Sequence, residues 1–155
     1  MRKITFFVLT ILLSTPLVSQ SKKNHQNLNT MKLNAGIITE KINETKDFYV
    51  NKLGFGVTFE NEFYLLLHTP NKQALVSFLL PNHTTQQPIF QSAFTGKGVY
   101  LTIEVDNVDF VYKELKDKGV PIEIDIRNEV WGDRHFAIVD PNGIGIDIVT
   151  YTQPD

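Results

Sequence analysis

Few residues in this chain combine reactive chemistry with a place in a regular element. The four histidines are His25, His68, His83 and His135. None lies two or four residues from another, so no local histidine pair is set to grip a metal. His68 and His135 fall in strand-like stretches, and without a nearby partner each reads as a half-exposed strand residue before it reads as a ligand. Asp147 stands among Ile144, Ile146 and Ile148, where an unpaired carboxylate is costly to bury. It is expected to meet a ligand or an internal base such as Arg134. Tyr100 offers a flat surface with a hydrogen-bonding tip. Trp131, the only tryptophan, either lines a site's mouth or shapes its loop beside Gly132. Arg134 presents a planar fork for an acidic group, unless Asp147 or Glu129 uses it.

Several chemistries are excluded. Cysteine is absent, which removes disulfides, thiolate zinc sites and a cysteine nucleophile. Ser77 and Ser92 lack a Gly-x-Ser-x-Gly setting, so no hydrolytic triad is supported, and no glycine-rich loop precedes a helix to cradle phosphate. No catalytic residue can be named. A formal charge of −2 leaves no basic footprint for nucleic acid.

These residues must be positioned by the elements around them. Residues 32–39 alternate as a strand, and a helix follows with Asn43 as its expected N-cap and Ile42, Phe48, Tyr49 and Leu53 as its apolar stripe. Gly54 sits where a left-handed residue ends a helix. Strands are expected at 55–59, 63–68 and 74–80. The order then repeats. Val99, Leu101, Ile103 and Val105 alternate with polar neighbours, and Asn107 caps a helix whose Val108, Val111, Tyr112 and Leu115 fall at helical spacing. Gly119 closes that helix, and strands follow at 120–126, 134–139 and 145–151. Lys52-Leu53-Gly54-Phe55 answers Asp117-Lys118-Gly119-Val120, and Thr69-Pro70-Asn71 answers Asp140-Pro141-Asn142, which points to an internal duplication. The expected class is α+β: tandem βαβββ modules (31–80 and 99–153, linker 81–98) forming a curved mixed sheet around a cleft, with helices on the outer face. Asn34, Gly36, Tyr100, Thr102, Gly145, Asp147 and Val149 alternate onto the cleft side, and Ile144, Ile146 and Ile148 onto the core side.

This duplication, with Asp140-Pro141-Asn142-Gly143 leading into Ile146-Asp147-Ile148-Val149, resembles the vicinal oxygen chelate superfamily of glyoxalases, bleomycin resistance proteins and extradiol dioxygenases. Trp131-Gly132-Asp133-Arg134-His135-Phe136 is similar to the Trp-Gly-x-Arg-x-Phe segment of its glyoxalase/bleomycin resistance branch. The resemblance implies a cleft metal held by His or Gln on the first strand, His on the fifth, Glu on the eighth and in some members Glu on the fourth. Carried onto this chain, those positions fall on Asn34, Tyr100, Asp147 and about Val76. Only Asp147 is a good ligand for a divalent ion. The expectation is therefore no metal and no cofactor. The predicted function is small-molecule binding in a cleft lined by Asn34, Tyr100, Asp147, Trp131 and Arg134. The alternative is a metal-dependent glyoxalase-like lyase or dioxygenase with a non-standard ligand set. An accessory domain with a collapsed cleft is a third. The resemblance also implies a homodimer.

Residues 1–20 have the layout of a secretory signal peptide: Arg2 and Lys3, an apolar stretch from Ile4 to Leu13, then small residues and Pro16. Residues 21–30 read as a disordered polar leader. A secreted or periplasmic protein with no stable membrane anchor after signal removal is expected, or a cytoplasmic one if translation starts at Met31.

Overall fold

The strand and helix patterns close into two copies of one unit in a computed structural model that describes residues 32–151. The signal and leader expected at 1–30 lie outside the described residues, and from Leu33 onward the chain forms one compact unit. In chain order it contains β1 (Ala35–Ile38), α1 (Ile42–Asp47) running into a π turn (Phe48–Lys52), then β2 (Gly56–Glu60), β3 (Tyr64–His68) and β4 (Leu75–Leu79). A 3-10 turn (Pro88–Phe90) lies in the linker. The second copy contains β5 (Tyr100–Glu104), α2 (Val108–Asp117), β6 (Ile124–Asn128), β7 (Arg134–Val139) and β8 (Gly145–Thr150). The two sheets share one topology, β1-β4-β3-β2 and β5-β8-β7-β6, with the first strand parallel to the last and the other pairs antiparallel. This is an α+β fold of two four-stranded mixed sheets, and no barrel closes.

Alternation decides which face of each sheet is buried. Leu65, Leu67, Val76 and Phe78 in the first sheet, with Phe136, Ile138, Ile146 and Ile148 in the second, point into a single apolar core with Tyr49, Val108 and Leu115 from the helical segments. Val76 is therefore a core residue. The open-face residue of β4 that corresponds to Asp147 is Ser77, because Gly36 pairs with Ser77 as Thr102 pairs with Asp147.

Gly54 and Gly119 end their helices at φ +76° and +72°, the left-handed region where a side chain is strained. Asn107 caps α2, its side chain accepting from the Phe110 N–H at 2.9 Å. Asn43 does not cap α1. It lies inside the helix, whose N-cap is Lys41, and the Lys41 N–H is taken by Thr39 Oγ1. Between the end of β1 and Gly54 the first unit has one residue more than the second has between β5 and Gly119, and the π turn absorbs it. The sixth strand starts later than the alternation predicts, after Pro121, which cannot donate to a ladder.

A buried carboxylate joins the two units. Asp140 opens the β7–β8 turn and is 4% exposed. Its Oδ1 accepts the N–H groups of Asn142 and Ile144 at 2.8 and 2.9 Å, and its Oδ2 accepts the Asn142 amide at 3.0 Å and the Tyr49 hydroxyl at 3.2 Å. The Asn142 amide also donates to Thr45 at 3.1 Å, and Thr39 donates to Asn142 Oδ1. Burial, and secondarily the Asp140 charge, raise the Tyr49 phenol above its ordinary pKa, so it remains a donor. Asp140→Ala orphans these donors and is expected to cost about 3 kcal/mol, against about 1 kcal/mol for Tyr49→Phe, which removes one partner only. Urea unfolding of the two variants checks the order, and equal losses would contradict it.

Candidate functional site

The faces of the sheets that the helices leave uncovered are where a ligand can be met. On the second sheet, alternation places Tyr100, Thr102 and Glu104 of β5, Asp147 of β8, and His135 and Ala137 of β7 on that face. Asp147 pairs directly with Thr102 and Ala137, while His135 pairs with Val149 and Arg127. Asp147 and His135 are thus diagonal neighbours, within side-chain reach.

They meet. His135 Nδ1 lies 2.7 Å from Asp147 Oδ1, and its Nε2 lies 2.9 Å from Glu129 Oε1 at the end of β6. Arg127 Nε donates to the same Glu129 oxygen at 2.6 Å. A neutral imidazole has one donor nitrogen, so contact with a carboxylate at both nitrogens requires the imidazolium. The hydrogen bond to Asp147, against partial desolvation and reinforced by Glu129, raises the His135 pKa above its ordinary 6.5. Glu129 is held below the usual carboxylate range, chiefly by His135 and further by Arg127. Two carboxylates thereby balance an imidazolium and a guanidinium in one row across three strands.

The expected site residues are only partly assembled. Tyr100 shares the face with Asp147 and is 68% exposed, free to stack on a ligand. Asn34 precedes β1 in the other sheet, is exposed, and makes no hydrogen bond to Tyr100 or Asp147 among the described residues. Trp131 sits in the β6–β7 turn, its indole N–H donating to Asp133 at 2.9 Å. The turn is closed by Glu129 N–H to Asp133 O and Gly132 N–H to Glu129 O, with Gly132 at φ +104°. The ring is exposed, in the turn that begins at Glu129.

Arg134 is a correction. It alternates with Phe136 and Ile138 onto the helix side, and its Nε and Nη2 fork Asp109 of α2 at 2.8 and 2.5 Å. It reaches neither Asp147 nor Glu129, and His135 is the base that Asp147 finds. The signal for this was in the chain: a tight turn at Asp140–Gly143 sets residues equidistant from it opposite each other, which puts His135 and Asp147 on one face and Arg134 on the other. Glu129 and Arg127 gave no comparable signal, because the β6–β7 register contains an irregularity.

The open face of the first sheet is mostly apolar, with Ile38, Leu66, Leu75 and Leu79 half-buried on it. His68 lies on it across Gly56, where an added Cβ would fall 2.3 Å from the ring, and its Nδ1–H donates to Thr69 O at 2.8 Å.

The residues do not fit a divalent metal. Asn34 and Tyr100 are weak donors, Ser77 stands where a fourth-strand ligand would be, and Asp147 is engaged by His135. Glu129 and Asp147 bind opposite edges of one ring, so the three groups do not converge on a point. No cluster of three His, Asp or Glu suited to a metal occurs among the described residues.

Comparison with known proteins agrees with the fold. The family model for the Glyoxalase/Bleomycin resistance protein/Dioxygenase superfamily matches residues 31–148. A member of that superfamily from Sphaerobacter thermophilus is 26% identical, with TM-score 0.62, covering 77% of this chain and 96% of its own. The bleomycin resistance determinant encoded on transposon Tn5 is 19% identical, with TM-score 0.60, covering 80% and 100%. A lactoylglutathione lyase from Agrobacterium tumefaciens is 13% identical, with TM-score 0.64, covering 78% and 93%. No curated protein matches at a significant level.

The raised pKa of His135 has a defined pH consequence. Its stabilising contribution is complete below the unfolded value of 6.5 and is lost as pH rises through the higher folded value. An NMR titration of the His135 ring is expected to give a midpoint above 6.5 that falls towards it in Asp147→Asn. A wild-type midpoint at or below 6.5 would overturn the imidazolium assignment.

Proposed function

The chain belongs to the glyoxalase/bleomycin resistance protein/dioxygenase superfamily, and we propose that within it this protein binds and sequesters a small molecule without a metal. The observation that supports this reading is the row Glu129–His135–Asp147, whose groups are turned on one another rather than toward a common ion. Around it stand exposed groups suited to recognition: the Tyr100 ring, the Thr102 hydroxyl and the Trp131 indole. The first sheet offers an apolar open face, so the ligand is a compact molecule with an aromatic or aliphatic part and a polar part. The chain is read as exported through its N-terminal signal and as a homodimer. No helix among the described residues is long and apolar enough to cross a membrane.

A metal-dependent lyase or dioxygenase is the competing function, and metal content separates the two. Native mass spectrometry of protein purified from its own host is expected to show no stoichiometric divalent metal and a dimer carrying a small organic molecule. About one divalent metal per chain would sink the proposal. Trp131 gives a second readout, because it is the sole tryptophan and lies in the turn that begins at Glu129. Titration with a panel of aromatic antibiotics that includes bleomycin should change its fluorescence for at least one member. Asp147→Ala should weaken that binding about tenfold, or about 1.4 kcal/mol, while far-ultraviolet dichroism stays unchanged.

A further inference from the structure

The two units are joined by two seams related by the internal repeat, and only one of them is filled. The backbone hydrogen bonds fix the correspondence. Thr39 N–H bonds to Leu79 O as Val105 N–H bonds to Val149 O. Thr45 N–H bonds to Lys41 O as Val111 N–H bonds to Asn107 O, and Tyr49 O accepts from Phe55 as Leu115 O accepts from Val120. In the turns, Lys72 N–H bonds to Thr69 O as Gly143 N–H bonds to Asp140 O, and Lys72 and Gly143 are both left-handed.

In the filled seam, Asp140 and Asn142 reach across to Tyr49, Thr45 and Thr39. Their counterparts do not reach. Thr69 donates to Asn71 at 2.7 Å and accepts from Ala74 N–H at 3.2 Å, so the turn satisfies its own polar groups. Facing it, Val105, Val111 and Leu115 replace Thr39, Thr45 and Tyr49. Thr69, Asn71, Val105, Val111 and Leu115 together line a cavity of about 460 Å³, with Phe55, Ile103 and Ile148 also in its wall. That volume lies in the range of small-molecule sites.

We propose that this cavity is a second binding site, on the helix side of the fold and independent of the sheet face described above, and that it takes a small aromatic amine. The apolar walls supply the affinity for the ring. The charge follows from the rim. Lys52 and Lys118 are engaged with each other's backbone, Lys52 Nζ donating to Lys118 O at 2.8 Å and Lys118 Nζ to Lys52 O at 3.0 Å. Those bonds orient the two ammonium groups without neutralising them, but the lining also carries Glu104, Asp106 and Glu114, three carboxylates with no ion-pair partner among the described residues, which outnumber the two lysines and so complement a cation.

The test uses 1-naphthylmethylamine and its neutral isostere 1-naphthylmethanol against the full mature chain. Methyl and amide NMR shifts are expected at Val105, Val111 and Leu115 and not at Tyr100 or Asp147, with the amine at least fivefold tighter by calorimetry. The double variant Asp106→Asn, Glu114→Gln should reduce the amine to the affinity of the alcohol. Val111→Phe should abolish both, and the charge variant keeps the test decisive if that variant does not fold. Shifts confined to the second sheet's open face, equal affinities for amine and alcohol, or no shift because a second copy or the N-terminal segment fills the cavity would each overturn the proposal. None of these outcomes bears on metal content, and shifts confined to the open face would overturn this proposal while leaving the sheet-face reading standing.

Discussion

A buried carboxylate must collect hydrogen bonds or ionise at great cost, and Asp140 sets much of this structure by collecting four. Three come from its own turn, the N–H groups of Asn142 and Ile144 and the Asn142 amide, which fixes the β7–β8 hairpin and hence the register of β8. The fourth comes from Tyr49, which with the Asn142–Thr45 contact binds that hairpin to the helical segment of the other unit. With the register fixed, Ile144, Ile146 and Ile148 can only face the core, and Asp147 can only face out. The position of the exposed carboxylate is therefore a consequence of how the buried one is satisfied.

Most of this was legible in the chain wherever local pattern and tertiary packing agree. The alternation of β5, the isoleucines of β8, the Asn107 cap and the glycines closing both helices needed nothing beyond periodicity and φ preference. Reading failed where a choice was made by a distant partner. Asn43 looks like a cap, but it lies inside α1, which starts from Lys41 without a side-chain cap, the Lys41 N–H itself being taken by Thr39. The carried-over fourth-strand position falls at about Val76, whereas the open face is held by its neighbour Ser77, since parity in a short apolar strand is settled by which side the helix covers. Arg134 has the same parity as Phe136, and its Asp109 partner is on α2, 25 residues away.

The repeated scaffold has diverged by assigning different work to its halves. The second sheet places its charged row on the open face, whereas Ser77 and a set of leucines hold the equivalent positions in the first. The seams diverged in the opposite sense: the first unit contributes Thr39, Thr45 and Tyr49 to a polar seam, and the second contributes Val105, Val111 and Leu115. The π turn belongs to this difference. One extra residue after Tyr49 lets its backbone accept from Phe55 much as Leu115 accepts from Val120, while a far larger side chain reaches Asp140.

The same reasoning explains why the charged row resists metal chemistry. A metal-binding imidazole must present a lone pair, yet here both ring nitrogens face carboxylates, an arrangement that favours the doubly protonated ring. Recruiting His135 to an ion would require loss of a proton whose affinity the two carboxylates have raised, and would strand Glu129 or Asp147 without a donor. Arg127 adds a positive charge at Glu129, which further disfavours a cation there. A row that is neutral as a whole yet polar along its length can still donate and accept hydrogen bonds at its exposed edges. That property suits recognition of an uncharged polar group, and it ties the sheet-face reading to the charge balance of the row as well as to the missing ligand set.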